Sequence, residues 1–380
     1  MDKSFIKACI KGNLEEAINI YNKDKPNIHT VYNFTFKCAC YNGHINIAQW
    51  LYGLEDKPNI HAEDDYAFRY ACRNGHINII QWLYGLEDKP NIHALNDEAF
   101  RYACCSKRIN IAQLLYGLED KPNIHAKDDE AFRLACYSGY MDIVQWLYGL
   151  GDKPNIHAKD DEAFRLACEN GHINMARWLF GLEDRPNIHA KDDEAFRYAC
   201  CNGHINIAQW LYGLDDKPNI HAKNDEAFRY ACENGNINIS HWLYGLENKP
   251  NIHANDDEAF RYACENGQIN IANWLITICD DYYIEIKDNK IDNWKIKNIL
   301  HYLFDNKEYD KIIDKLKIQK KDDIILNTCS ICYEENSNFL TSCKHNFCID
   351  CFMMWYIEHN KKECCYCKQT IDIEKCAVKI

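Results

Sequence analysis

Glycine and proline disappear from this 380-residue chain after Gly267, and all eight prolines fall at or before Pro250. Long apolar runs are missing throughout. None approaches the ~18–20 residues of a membrane span, so no membrane partner is expected. Charges break up the opening stretch MDKSFIKACIKGNLEEA before a signal-like apolar segment can form, and a soluble, cytoplasmic protein is expected. Basic residues are in deficit, 44 Lys and Arg against 57 Asp and Glu, for a net charge of −13. That balance argues against a general affinity for nucleic acid or anionic lipid, and no basic cluster of note offsets it. Residues 1–276 contain neither a nucleophile-and-base arrangement nor a glycine loop suited to phosphate. Cysteine is plentiful at 22 residues, 13 before residue 300 and nine within 329–376.

What fills the first part is repetition. Phe36, Phe68, Phe100, Phe132, Phe164, Phe196, Phe228 and Phe260 recur every 32 residues, and the prolines from Pro26 to Pro250 keep the same interval. Trp50, Trp82, Trp146, Trp178, Trp210, Trp242 and Trp274 follow the same period, with Leu114 in the gap. A shorter, more degenerate unit precedes them, as a terminal cap would, giving nine units. In DDEAFRYACENGHINIAQWLYGLEDKPNIHAK, Asp is the expected N-cap of a first helix that Asn-Gly ends. HINIAQWLY then gives a second helix with one apolar face, and KPNIHA an extended connection. A helical hairpin this small buries its apolar face only by stacking on copies of itself.

The periodic polar residues have structural readings. The NIH histidines from His29 to His253 stand too far apart for neighbours to share a zinc, because packed helices are roughly 8–10 Å apart. They are expected to be hydrogen-bonded. The Ala-Cys column reads as buried, inert thiols, and Arg69, Arg101 and their successors as local ion-pair partners of nearby acids.

EAFRYAC, GHINIAQWL and NIHA resemble the successive stretches of the ankyrin repeat, over about residues 4–276. Thr-Pro is absent, Arg replaces the usual His, and the period is 32 rather than 33, so a stunted connecting hairpin is expected. The wording is most similar to ankyrin-repeat proteins of giant DNA viruses of amoebae, which would place the chain in a host cytoplasm. The resemblance implies a protein target held by hairpin tips and first helices. Most tips are charged, as in Lys127-Asp128-Asp129-Glu130, whereas the first three carry Val31, Phe34, Tyr66 and Leu95. These four are the candidate target-binding residues; sealing of the end unit against water is the other reading of Val31 and Phe34.

Residues 277–328 read as a helical cap and linker, with amphipathic helices in IDNWKIKNILHYLF and EYDKIIDKLKI. The rest, 329–380, holds C-x2-C-x10-C-x-H-x2-C-x2-C-x12-C-x2-C from Cys329 to Cys367. Paired thiolates and an imidazole suit tetrahedral zinc, and eight ligands suit two Zn2+ ions. A reducing compartment disfavours a disulfide knot, and one redox C-x2-C needs no further copies.

The order of ligands resembles the RING finger. That resemblance implies that Cys329, Cys332, Cys348 and Cys351 hold one zinc, and Cys343, His345, Cys364 and Cys367 the other. Cys364 rather than the adjacent Cys365 keeps the spacing to Cys367. It implies a ubiquitin-conjugating enzyme and ubiquitin as partners, with Ile331 and Trp355 at the enzyme contact, core packing being the alternative for Trp355. Cys365 stands where proline is usual, and Lys368 where arginine is. Lysine keeps the charge but loses the planar fork. Cys365 and Cys376 are spare thiols. The expected fold is thus a mainly α, ankyrin-like solenoid followed by a small α+β RING. The expected function is ubiquitin ligation, or a non-enzymatic adaptor with a structural zinc module.

Overall fold

The computed structural model describes residues 3–24, 28–296, 318–320, 339–342, 344–347, 351–352, 356, 369–372 and 376–378, with 24, 28–32, 320, 340, 346, 377 and 378 as backbone only. Two compact units divide the chain after Asp256.

The first unit is a run of helical pairs. In one of them, helix Ala126–Tyr137 is followed by helix Met141–Tyr148. Phe132 and its equivalents are at most 1% exposed, and each such burial contributes about 1.5–3 kcal/mol. The aromatic columns interlock between units: Phe100 meets Trp146 with ring centres 6.2 Å apart, and Tyr148 meets Trp178 edge-on at 5.4 Å. Gly75 ends its helix at φ 91°, a left-handed conformation glycine adopts without cost, and its bare α-carbon leaves room for the side chain at position 108 of the next unit. Cys72, Cys136 and Cys168 are fully buried and their thiols pushed upward by desolvation; burial takes Cys232 up to about 12. No described cysteine is bridged.

The connection between units differs from the expected N-cap. Lys127, Asp128 and Asp129 have φ of 53°, 57° and 58°, three consecutive residues in a left-handed turn. The same turn recurs at Glu63–Asp65, Leu95–Asp97, Lys159–Asp161, Lys191–Asp193 and Lys223–Asp225. It reverses the chain so tightly that no strand forms in the described residues of this unit. The hairpin finger is reduced to a single turn.

The second unit holds a helical pair from Asp257 onward, ending with Ile269–Ile278, and two small sheets. Strands β1 (Tyr282–Lys287) and β2 (Lys290–Ile296) form an antiparallel hairpin where a helix was expected from Ile291. The turn is Asp288-Asn289 with φ of 49° and 57°, the two-residue geometry that suits the twist of paired strands. A bulge between Glu285 and Ile286 shifts the register, which breaks the strict alternation. Tyr282 lies flat on Phe260 at 4.1 Å, donates its hydroxyl to Asp257 at 2.6 Å, and Trp294 meets Phe260 edge-on at 6.1 Å. The hairpin therefore covers Phe260, the last phenylalanine of the repeat series. EYDKIIDKLKI lies outside the described residues except for Ile318. In the second sheet β3 (Gln319–Lys320), β6 (Ala377–Val378), β4 (Phe339–Leu340) and β5 (Asn346–Phe347) are neighbours in that order, only β3–β6 being parallel. No described helix is long and apolar enough to cross a membrane.

Candidate functional site

In a regular unit the exposed face of the first helix is set by polar contacts to both neighbours. Arg133, 5% exposed, donates from Nε to the Asp128 carbonyl at 2.7 Å and from Nη2 to that of Lys127 at 2.9 Å. Its Nη1 pairs with Glu162 of the next unit, and Arg165 pairs with Glu194 at 2.6 Å in the same way. The expected local pairing is thus corrected: the partner is 29 residues away, because the left-handed turn occupies the arginine's near side. His125 binds Asp129 through Nδ1 at 2.7 Å and Asp152, one connection further on, through Nε2 at 3.1 Å. Burial pulls the His125 pKa down, but hydrogen bonds to Asp152 and Asp129 outweigh it and leave the value raised. His61, His93, His157 and His189 repeat this arrangement, as expected of structural histidines.

The first units break the scheme. The column holding Glu98, Glu130, Glu162, Glu194 and Glu226 has Phe34 and Tyr66 instead, and the arginine column has Lys37. With no glutamate opposite, Lys37 turns to Glu63 at 2.5 Å and lies 5.3 Å from the centre of the Tyr66 ring. Phe34, Lys37, Cys38, Tyr41, Glu63 and Tyr66 line a groove of about 330 Å³. Tyr66 stacks on Tyr70 at 4.1 Å, Tyr41 meets Tyr70 at 5.9 Å, and Tyr70 meets Tyr102 at 5.6 Å. Burial, then Tyr70, pushes the Tyr66 pKa up.

Of the four candidate target-binding residues, two meet in this groove. Phe34 is 47% exposed and Tyr66 half-buried. Leu95 is exposed but sits in the left-handed turn of its own unit, outside the groove lining. Val31 lies on helix Ile28–Asn42, with its side chain outside the described residues. Lys37, Tyr41, Tyr70 and Tyr102 complete the strip and were not candidates. The signal was there column by column: Lys37 departs from arginine, and Tyr41 falls in a column that holds Glu169 and Glu233 further along.

Of the eight proposed zinc ligands, His345 and Cys351 are described and both half-buried. Cys329, Cys332, Cys343, Cys348, Cys364 and Cys367 lie outside the described residues, as do Ile331, Trp355, Cys365 and Lys368. Thr341 fixes the turn between β4 and β5: its N–H and hydroxyl both donate to the His345 carbonyl, at 3.0 and 3.1 Å. The His345 N–H returns to Thr341 Oγ1 at 3.1 Å. Phe352, next to Cys351, stacks on Phe339 at 4.0 Å. Cys376 is fully buried, its thiol donating to the Asp372 carbonyl at 3.5 Å, out of reach of a substrate.

The family described as Ankyrin repeats (3 copies) matches residues 36–128 and again residues 132–224. Among solved structures, an ankyrin repeat family protein from Legionella pneumophila is similar at 18% identity and a TM-score of 0.28, over 64% of this chain and 68% of that one. So low a score adds nothing to the family match. No curated protein matches. Residues 36–128 and 132–224 are thus ankyrin repeats.

Proposed function

We propose that this chain is a RING-type ubiquitin-protein ligase, its repeat array recruiting a protein target and its C-terminal module positioning a ubiquitin-charged conjugating enzyme. The spacing of seven cysteines and one histidine from Cys329 to Cys367 carries this reading. The donor set suits zinc, and the described part of the module supplies a hairpin turn that fixes the His345 backbone and an aromatic cluster beside Cys351. Cys329, Cys332, Cys348 and Cys351 would hold one ion, and Cys343, His345, Cys364 and Cys367 the second. The metal would supply folding energy alone, since each ion has a full set of four ligands. Ile331 and Trp355 would meet the conjugating enzyme, and Lys368 would bond ubiquitin or its carrier. The gain is orientation of a thioester towards a target lysine. Phe34 and Tyr66, with Val31 and Leu95, are the array's side of target capture.

A second reading, a non-enzymatic adaptor, draws on Cys365 and Lys368, which replace the proline and arginine usual in active members. One set of measurements separates them. Metal analysis of the purified chain should return two zinc ions. Incubation with ubiquitin, activating enzyme and a panel of conjugating enzymes should give self-modification that Ile331→Ala abolishes with zinc content unchanged. Lys368→Arg should raise the rate. Equal outcomes for wild type and Ile331→Ala would leave the adaptor.

A further inference from the structure

Three cations interrupt the repeat at two adjacent turns. Arg73 occupies a column that elsewhere holds Glu169, Glu233 and Glu265. Lys107 stands where other units have Gly75, Gly139 or Gly171, and Arg108 where they have His76, His172 or His204. Lys107 keeps the left-handed backbone of the glycine it replaces, with φ 59°, a conformation that penalises any residue with a Cβ. All three side chains are exposed, and none has a carboxylate partner among the described residues. The helix dipole does not explain them, because glutamate fills the Arg73 column at other helix ends.

They are clustered and set among tyrosines. Arg73 lies 5.6 Å from the Tyr70 ring centre and 5.0 Å from that of Tyr102, and Lys107 lies 5.9 Å from that of Tyr140. Arg108 rests on Gly75, two residues beyond Arg73, so close that a Cβ there would stand 2.8 Å from its Nε. Tyr70 also stacks on Tyr66 at the edge of the groove holding Phe34. Groove, tyrosines and cations thus form one continuous strip.

We infer that this strip binds an extended acidic segment of a protein target, with an apolar side chain in the Phe34–Tyr66 groove and carboxylates on Arg73, Lys107 and Arg108. The inference rests on reading the array as the target-recruiting part. Charge complementarity selects the partner: three cations with no carboxylate partner among the described residues persist in a chain of net charge −13, and one of them is kept against backbone preference. The groove accounts for the apolar anchor, since a charged segment alone would need none.

The test is selection of displayed random peptides of about twelve residues on the whole 380-residue chain, followed by fluorescence anisotropy with the enriched peptide. The control is Arg73→Glu, Lys107→Gly and Arg108→His combined, each change being a residue other units already use at that place, so folding is preserved. Enriched peptides should carry clustered Asp and Glu beside one apolar residue. The triple variant should weaken binding about tenfold or more, and added salt should weaken the wild type further. Neutral or basic peptides that bind wild type and triple variant alike would overturn the inference and leave target recruitment standing. A selection that yields no binding peptide would sink both. Two other results would also overturn it: an oligouridine probe whose binding the triple variant abolishes, or concentration-dependent self-association in sedimentation that the triple variant abolishes. They would assign the strip to nucleic acid or to a second copy of the chain.

Discussion

The units from 126 to 233 and those from 33 to 108 share their buried columns almost residue for residue, yet differ along the exposed edge of the first helices. In the later units that edge is tied up internally. Arg133, Arg165 and Arg197 each hold a carbonyl pair and the next unit's glutamate, leaving few polar groups for a ligand. In the earlier units the glutamates at two places are aromatic and the arginine at one place is lysine, so the edge opens into a groove. Stacking needs the buried columns and is satisfied equally by both sets. The departures are confined to the positions that stacking leaves over, which is where recognition chemistry has room to differ.

The comparison can be broken at the arginine column. Arg133→Ala should cost roughly 3 kcal/mol or more, because it strands Glu162 and two carbonyls of a left-handed turn. Lys37→Ala in the same column should cost under about 1 kcal/mol, since its partner Glu63 is 62% exposed. Urea-denaturation midpoints of the two variants would settle it, and equal losses would erase the contrast.

A smaller effect follows from the histidines. His61, His93, His125, His157 and His189 each have a pKa raised by two carboxylates, against the pull of burial. A raised folded value means the protonated form is favoured in the native state. Its stabilisation is complete below the unfolded-state value of about 6.5 and fades as pH climbs through the folded one. The denaturation midpoint should therefore fall between pH 5.5 and pH 8, and His125→Asn combined with His157→Asn should flatten that fall. An unchanged profile in the double variant would place the pH dependence elsewhere.

The smallest effect sharpens the comparison most. Lys107→Gly restores the residue that other units use at a left-handed position and should stabilise the chain by about 0.5–1 kcal/mol. A gain in melting temperature together with weaker peptide binding would show a residue held for its side chain at the expense of its backbone. A loss of stability would show instead that Lys107 is structural.

The helical pairs and the buried columns were legible because a 32-residue period repeats one pattern many times, so chance matches cancel out. The left-handed turn was not. Lys127-Asp128-Asp129 contains no glycine and reads locally as an acidic helix start. What stabilises the turn is Arg133 reaching back to its carbonyls, a contact no propensity records. The partner of that arginine was hidden for a similar reason: within one unit a nearer acid is always available, and only stacking brings Glu162 closer. At 282–296 a bulge disguised a strand as a helical spacing, though Asp288-Asn289 marked the hairpin. Of the candidate site, Phe34 and Tyr66 were visible as odd residues at charged tips. Tyr70 and Tyr102 were not, because tyrosine is the ordinary occupant of their column and gains meaning only beside Arg73.

From Arg69 with Glu98 to Arg197 with Glu226, the bond between one arginine and the glutamate of the next unit spans 29 positions each time. Excising residues 126–157 would bring Arg101 opposite Glu162, in the same chemical setting it has with Glu130. The splice would contain no foreign junction. Length in this molecule is thus quantised: whole units can be dropped or duplicated while each remaining one still meets the neighbour it is built for. The units bearing Phe34, Tyr66, Arg73 and Lys107 are the exception, because they are not interchangeable with any other.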